Sequence, residues 1–319
     1  MRFLDSMVQQ PRLKKTRTGR QNTRSVKGSL KQLIGLETQI TCLTTSTAFI
    51  TFNYYMGFDT EINFIRSCFQ RSDFIPLHEP KFKGNGKKYV NEAIDSTFVS
   101  SVGVFVDRAE VLIAEKTGTA RAVSVVNGTA ALQVGLRLAN VRPNDEVITQ
   151  ALSFVATANA IAYNGAHPVF VDVDLDTMSL SPGALKQFLE RYCELIGGHC
   201  TNKRTKRVIR ACVPMHTFGF MARMDEIQSV CNQWNIEIVE DAAEALGSTY
   251  MGKQAGSFGL LSAISFNGNK IITSGGGGAI ATNNKAIGEK AKYLTTTAKV
   301  PHAWDYFHDE LGYNYRMPN

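Results

Sequence analysis

Between residues 122 and 241 short apolar runs alternate with amphipathic ones, and this alternation constrains the fold more than any other feature of the chain. Strands are expected at 122–126, 146–149, 169–173, 208–215 and 236–240, the last ending at Asp241. Between them, helices are expected at 127–139, 154–163, from Ser181-Pro182 to about 196, and at 224–234. Ser181 before Pro182 is a favourable cap and first-turn pair. Such alternation specifies an α/β fold with one mainly parallel sheet flanked by helices. Three helices, at 61–69, 87–96 and 105–117, are expected ahead of it. The basic insert at 197–207 reads as a solvated surface loop.

Open α/β sheets bind ligands at the carboxyl ends of their strands, so the residues that end strands are the candidates. The stretch from Ser262 to Ile280 holds two apolar strands, one running through Ser265 and one at 279–281, separated by a polar loop with Lys270 and the glycines Gly275 to Gly278. A lysine kept among apolar neighbours can lose its proton and attack a carbonyl. Asn127-Gly128-Thr129 lies where a strand turns into a helix, a junction whose free N–H groups and dipole favour a phosphate. Phe154 opens a helix at the same edge and can lie against a flat ligand. Asp241 ends an apolar strand and is followed by two alanines; an ionised carboxylate there would keep a pyridine nitrogen protonated. Taken alone, Asn127 and Asp241 are each better explained by helix capping. Together, these features fit one cofactor, pyridoxal phosphate: a lysine for its aldehyde, an acid for its ring nitrogen, an aromatic for its face, and a helix start with Ser265 for its phosphate.

The same residues resemble a known family, the DegT/StrS nucleotide-sugar aminotransferases within fold type I of the pyridoxal-phosphate enzymes. The resemblance runs from about Phe74 to Asn319. It rests on the stretches 127–132, 154–159, 165–172, 239–244, 265–270 and 312–316. It implies that Lys270 is the Schiff-base lysine and proton carrier, Asp241 the partner of the ring nitrogen, Phe154 the stacking ring, and Gly128, Thr129 and Ser265 the phosphate holders. Glu244 stands where many members have Gln against the phenolic oxygen, and an ionised carboxylate only accepts hydrogen bonds. Asn314 matches an asparagine that reaches the cofactor phosphate of a partner subunit, which implies a homodimer with shared active sites. The glycine run lacks an acidic residue that many members carry there. The implied reaction moves an amino group from glutamate to the keto group of a nucleotide-linked deoxyhexose. The phrasing at 73–80, 96–103 and 295–302 is most similar to members acting on UDP-linked 4-keto-6-deoxy-N-acetylhexosamines in surface-polysaccharide biosynthesis, the legionaminic-acid or bacillosamine branch. His78, His216 and His302 are candidate substrate contacts, each also explicable as a structural histidine.

Charge raises a competing reading and then localises it. The net charge is +7, but residues 1–56 hold nine Lys/Arg against two Asp/Glu, while 57–319 hold 26 of each. The excess therefore lies in a basic, low-order N-terminal extension, and the 57–319 body, expected to be the cofactor-binding large domain, is neutral. Nucleic-acid binding through the basic residues 1–31 is a competing reading, and no nucleic-acid partner is expected for the neutral body. Met56 is a plausible natural start. Six dispersed cysteines indicate neither zinc nor a disulfide framework and fit a reducing cytoplasm. No apolar run is long enough for a membrane span. The chain ends 49 residues after Lys270, where the resemblance places a smaller C-terminal domain. Without that domain, the polypeptide is expected to expose apolar surface and be poorly soluble or inactive. The alternative within the family is an inactive or regulatory homologue that binds cofactor or nucleotide sugar without turnover.

Overall fold

The computed structural model describes residues 57–319; the expectations for residues 1–56 lie outside them. The described residues divide into two units, 57–75 and Pro76–Asn319. The first carries helix α1 (Asp59–Phe69). The second begins with α2 (Gly86–Asp95) and α3 (Val104–Thr117). There follow β1 (Arg121–Val125), α4 (Gly128–Leu138), β2 (Glu146–Gln150), α5 (Val155–Tyr163), β3 (His167–Val171) and α6 (Pro182–Tyr192). Next come β4 (Cys193–Ile196), β5 (His199–Asn202), β6 (Ile209–Val213), α7 (Met224–Gln233) and β7 (Glu237–Asp241). The chain continues through β8 (Thr249–Tyr250), β9 (Lys253–Gln254), β10 (Leu261–Ser265), β11 (Gly278–Thr282) and α8 (Lys285–Thr295).

Seven strands form the central sheet in the order β1-β11-β10-β7-β6-β2-β3. The pairs β10–β7, β7–β6, β6–β2 and β2–β3 are parallel; β11 alone runs against its two neighbours. Because strand side chains alternate between faces, the sheet has two distinct cores. Val123, Val125, Val147, Val213, Val239, Leu261, Ala263 and Ile280 face one side, under α4, α5 and α8. Ile148, Cys212 and Ile238 face the other under α6 and α7, and beside them Ala122, Ile264 and Ala279 lie under α3. Asp241 and Ser265 share the parity of Val239 and Ala263, so both belong to the face covered by α4 and α5. Glu240 belongs to the opposite face.

One expected element differs. The helix from Ser181 ends at Tyr192 rather than near 196, because β4 leaves it to pair antiparallel with β5. The turn between these strands is Gly197-Gly198, both with positive φ (57° and 81°), the backbone of a tight two-residue hairpin turn. The insert is therefore a hairpin whose Cys200, Thr201 and Asn202 are buried, while its turn at 197–199 and the residues 203–206 after β5 are exposed. Among the described residues no helix is long and apolar enough to cross a membrane.

Candidate active site

Strand β10 brings Ser265 to the carboxyl edge of the sheet, and the loop beyond it folds back on itself. The Phe266 carbonyl accepts from the Ser274 N–H (3.2 Å) and the Thr273 hydroxyl (3.0 Å), and the Lys270 N–H donates to the Asn267 carbonyl (3.0 Å). Buried Phe266 anchors this loop in the core under α3. The loop directs Lys270 inward: its side chain is 11% exposed, with Nζ 2.8 Å from Glu244 Oε1. The same Nζ lies 5.7 Å from the centre of the Phe154 ring.

Asp241 ends β7 and is 3% exposed. Its Oδ2 accepts from the Thr157 hydroxyl at 2.6 Å, and its Oδ1 from the Ala243 N–H at 3.2 Å. Burial pushes the Asp241 carboxyl above its ordinary value, against the pull of those two donors and of nearby His216 and Lys270. Phe154 caps α5, and Thr157 follows on its first turn, on the same helical face. The start of α5 thus reaches both Lys270, through Phe154, and Asp241, through Thr157. Lys270 and Asp241 lie on one side of the sheet.

A second helix start closes the site. Asn127 caps α4, its Oδ1 accepting from the Ala130 N–H at 2.8 Å. Gly128 lies so close to Ser265 that a Cβ would stand 3.0 Å from the Ser265 Cβ. Gly278 packs against the same turn; a Cβ there would meet the Asn127 carbonyl carbon at 2.6 Å and the Gly128 nitrogen at 2.7 Å. The end of the glycine run therefore allows β11 to pass directly beneath the α4 turn. Half-buried Thr129 completes that turn.

A lysine, a buried carboxylate, an aromatic ring and a helix start beside a serine thus surround one space at the sheet edge. The sequence profile of the DegT/DnrJ/EryC1/StrS aminotransferase family matches residues 80–319. The chain belongs to this family. It is 42% identical over 245 residues to EpsN of Bacillus subtilis (strain 168), assigned as a pyridoxal phosphate-dependent aminotransferase, covering 77% of this chain and 60% of that protein. It is 39% identical over 246 residues to the GDP-perosamine synthase of Escherichia coli O157:H7, covering 77% and 63% respectively. The structure of an aminotransferase from Psychrobacter cryohalolentis superposes with a TM-score of 0.67 at 29% identity, over 77% of this chain and 60% of that one. The chain spans about three-fifths of the length of the curated relatives it matches.

In this DegT-family chain Glu244 is held from two sides, by Lys270 and by the Phe218 N–H, which donates to its Oε2 at 3.1 Å. Phe218 adopts a left-handed backbone conformation (φ 54°, ψ 22°). Asn314 is exposed and its backbone bridges Thr296, while two residues on Arg316 bridges Val125, at the carboxyl end of β1. Of the three histidines, His216 is fully buried: its Nδ1 accepts from the Ala222 N–H, so Nε2 faces Glu240 Oε2 at 3.2 Å as the donor. His78 and His302 are exposed. Sequence reasoning missed Thr157, Phe218 and Glu240. Thr157 was the findable one, since it lies one turn from Phe154 in an otherwise apolar helix start.

Proposed function

We propose that the chain is the cofactor-binding part of a pyridoxal-phosphate-dependent aminotransferase that passes an amino group from glutamate to a keto group on a nucleotide-linked deoxyhexose. One observation carries this reading: the start of α5 engages Lys270 through Phe154 and Asp241 through Thr157, so both groups face one space. The residues present fit the cofactor. Gly128 and Gly278 let the α4 turn, Ser265 and β11 pack directly on one another, which sets the free N–H groups of the α4 start beside the Ser265 hydroxyl, donors that a phosphate would use. Asp241 keeps accepting capacity beyond its two donors.

Bound there, pyridoxal phosphate would supply a carbonyl to carry the amino group and a ring to take up the electrons released at the substrate carbon. The protein's own residues would do the rest. Asp241 would hold a proton on the ring nitrogen, and that positive charge would in turn keep the buried carboxylate ionised. Phe154 would lie against the ring face. Gly128, Thr129 and Ser265 would hold the phosphate, and Lys270 Nζ would carry the proton to and from the substrate carbon. Glu244, already hydrogen-bonded to Nζ, is placed to keep that amine oriented between transfers. Asn314 would reach the phosphate of a second copy, making the working unit a homodimer, which we assign to the cytoplasm.

For the sugar, the sequence phrasing favours a UDP-linked 4-keto-6-deoxy-N-acetylhexosamine, whereas the perosamine synthase relatives make a GDP-linked sugar. The test uses the whole protein loaded with cofactor. Glutamate should bleach its visible absorbance, and a 4-keto sugar nucleotide should restore it. Restoration by UDP-linked but not GDP-linked ketosugar supports the finer reading and the reverse overturns it; no bleaching by glutamate overturns the aminotransferase reading.

A further inference from the structure

Thr157 has no role in what has been described beyond touching Asp241, yet its hydroxyl behaves unlike those of the threonines at the ends of α3 and α8. Thr117, Thr295 and Thr296 donate to the carbonyl one turn back, at 2.8, 2.8 and 2.7 Å. That is the ordinary local bond of a helical threonine. Thr157, 1% exposed, donates instead to a carboxylate 84 residues away, at 2.6 Å. This is the short distance expected of a hydroxyl bonded to an ionised acceptor. An ionised carboxylate only accepts, so the proton of that bond is the hydroxyl's. The Ser153 hydroxyl reaches Thr157 Oγ1 at 3.3 Å, and the Phe154 carbonyl and Met215 Sδ each at 3.4 Å. With Ser153 donating to it, Thr157 is left to spend its own proton on Asp241.

We propose that Thr157 is the positioning residue of Asp241: its hydroxyl, oriented by Ser153, fixes one carboxylate oxygen and holds the group ionised, leaving the remaining lone pairs for a protonated ring nitrogen. This inference rests on the reading of the site given above. The other groups that bear on Asp241 are Lys270, from the loop after β10, and His216, from the segment after β6. Glu240 and Glu244 flank it on its own segment; Glu240 is taken up by His216 and Glu244 by Lys270. The Ala243 N–H is the second direct donor. Thr157 is neutral at every pH, so it favours the charged carboxylate without adding a charge that the cofactor would have to match.

The same geometry couples the two halves of the site. Thr157 and Phe154 lie on one turn of α5, so a shift of that turn that loosened Asp241 would also move the ring facing Lys270.

The experiment is a direct titration of Asp241 in the cofactor-free protein, by carbon NMR of labelled aspartates, with Asp241→Asn assigning the signal. In Thr157→Val the midpoint should rise by about one unit, a tenfold change in proton affinity. Thr157→Ser should restore it, and Ser153→Ala should move it in the same direction by less. Near-ultraviolet circular dichroism checks folding; if Thr157→Val does not fold, Thr157→Ala takes its place. Pyridoxal phosphate affinity should weaken about tenfold in Thr157→Val, or about 1.4 kcal/mol, and change little when the same substitution is made in Asp241→Asn. An unmoved midpoint in both Thr157 variants overturns the inference, as does an equal loss of affinity in the two backgrounds. A shifted midpoint in a protein that fails to bind the cofactor at all would uphold the hold of Thr157 on Asp241 and sink the cofactor reading instead.

Discussion

Glu240 and Asp241 are consecutive carboxylates on β7, both buried, and the sheet turns them to opposite faces. Glu240 is saturated. Its Oε1 accepts from the N–H groups of Phe258 and Gly259, and its Oε2 from Gly256 and from His216 Nε2. It ties the loop after β9 to the segment after β6 and has nothing left to offer a ligand. Asp241 has one donor on each oxygen, so half of its accepting capacity remains, directed to the side where Lys270 and Phe154 lie. Full satisfaction marks a carboxylate that holds the fold together, and partial satisfaction in a dry place marks one kept for a partner.

The comparison breaks most visibly at Glu240. Glu240→Ala would strand several buried donors at once and should cost about 3–5 kcal/mol of stability, read as a shift of the urea midpoint. A loss no larger than that of an exposed substitution would contradict the structural role. Asp241→Asn should act in the opposite sense. Because the carboxyl of Asp241 is raised above 3.8 in the folded chain, the folded state binds this proton better than the unfolded state. Its contribution is full below the unfolded value and is lost as pH rises through the folded one. Asparagine has no such dependence. The cofactor-free variant should therefore gain stability relative to wild type as pH climbs out of the acid range, while losing cofactor affinity. Parallel stability curves across pH would remove the distinction between the two acids. The smallest effect is expected at Phe154. Phe154→Ala should leave stability nearly unchanged, since the ring is exposed in the cofactor-free chain, and weaken cofactor binding by about 1 kcal/mol, measurable by fluorescence titration.

Much of this was legible from residue order, for reasons that differ by element. The inner parallel strands β2, β6, β7 and β10 were readable because they are buried on both faces and so appear as short apolar runs. Lys270, Asp241, Phe154 and Gly128 were readable as candidates because each ends such a run or follows it within five residues. The hairpin after α6 was not, because Cys193-Glu-Leu-Ile continues the amphipathic pattern of the helix and only Gly197-Gly198 signals the reversal. The direction of β11 was equally hidden, since an apolar strand of five residues carries no mark of its orientation. Thr157 was findable by its place one turn from Phe154, but its partner and those of Glu240 lay beyond pattern reading because they are distant in sequence: 84 residues away for Thr157, and 16 to 24 for Glu240. Hydrogen bonds of that kind follow from strand order, which no local run of residues contains.

The central claim is that Lys270 and Asp241 serve one bound ring. It is tested most directly by loading the protein with pyridoxal phosphate, reducing it with borohydride and mapping the labelled peptide in wild type and in Asp241→Asn. The account predicts a single label on Lys270 in wild type and a much lower yield at the same residue in the variant. A label on another lysine, or an equal yield of Lys270 label in both proteins, would contradict it.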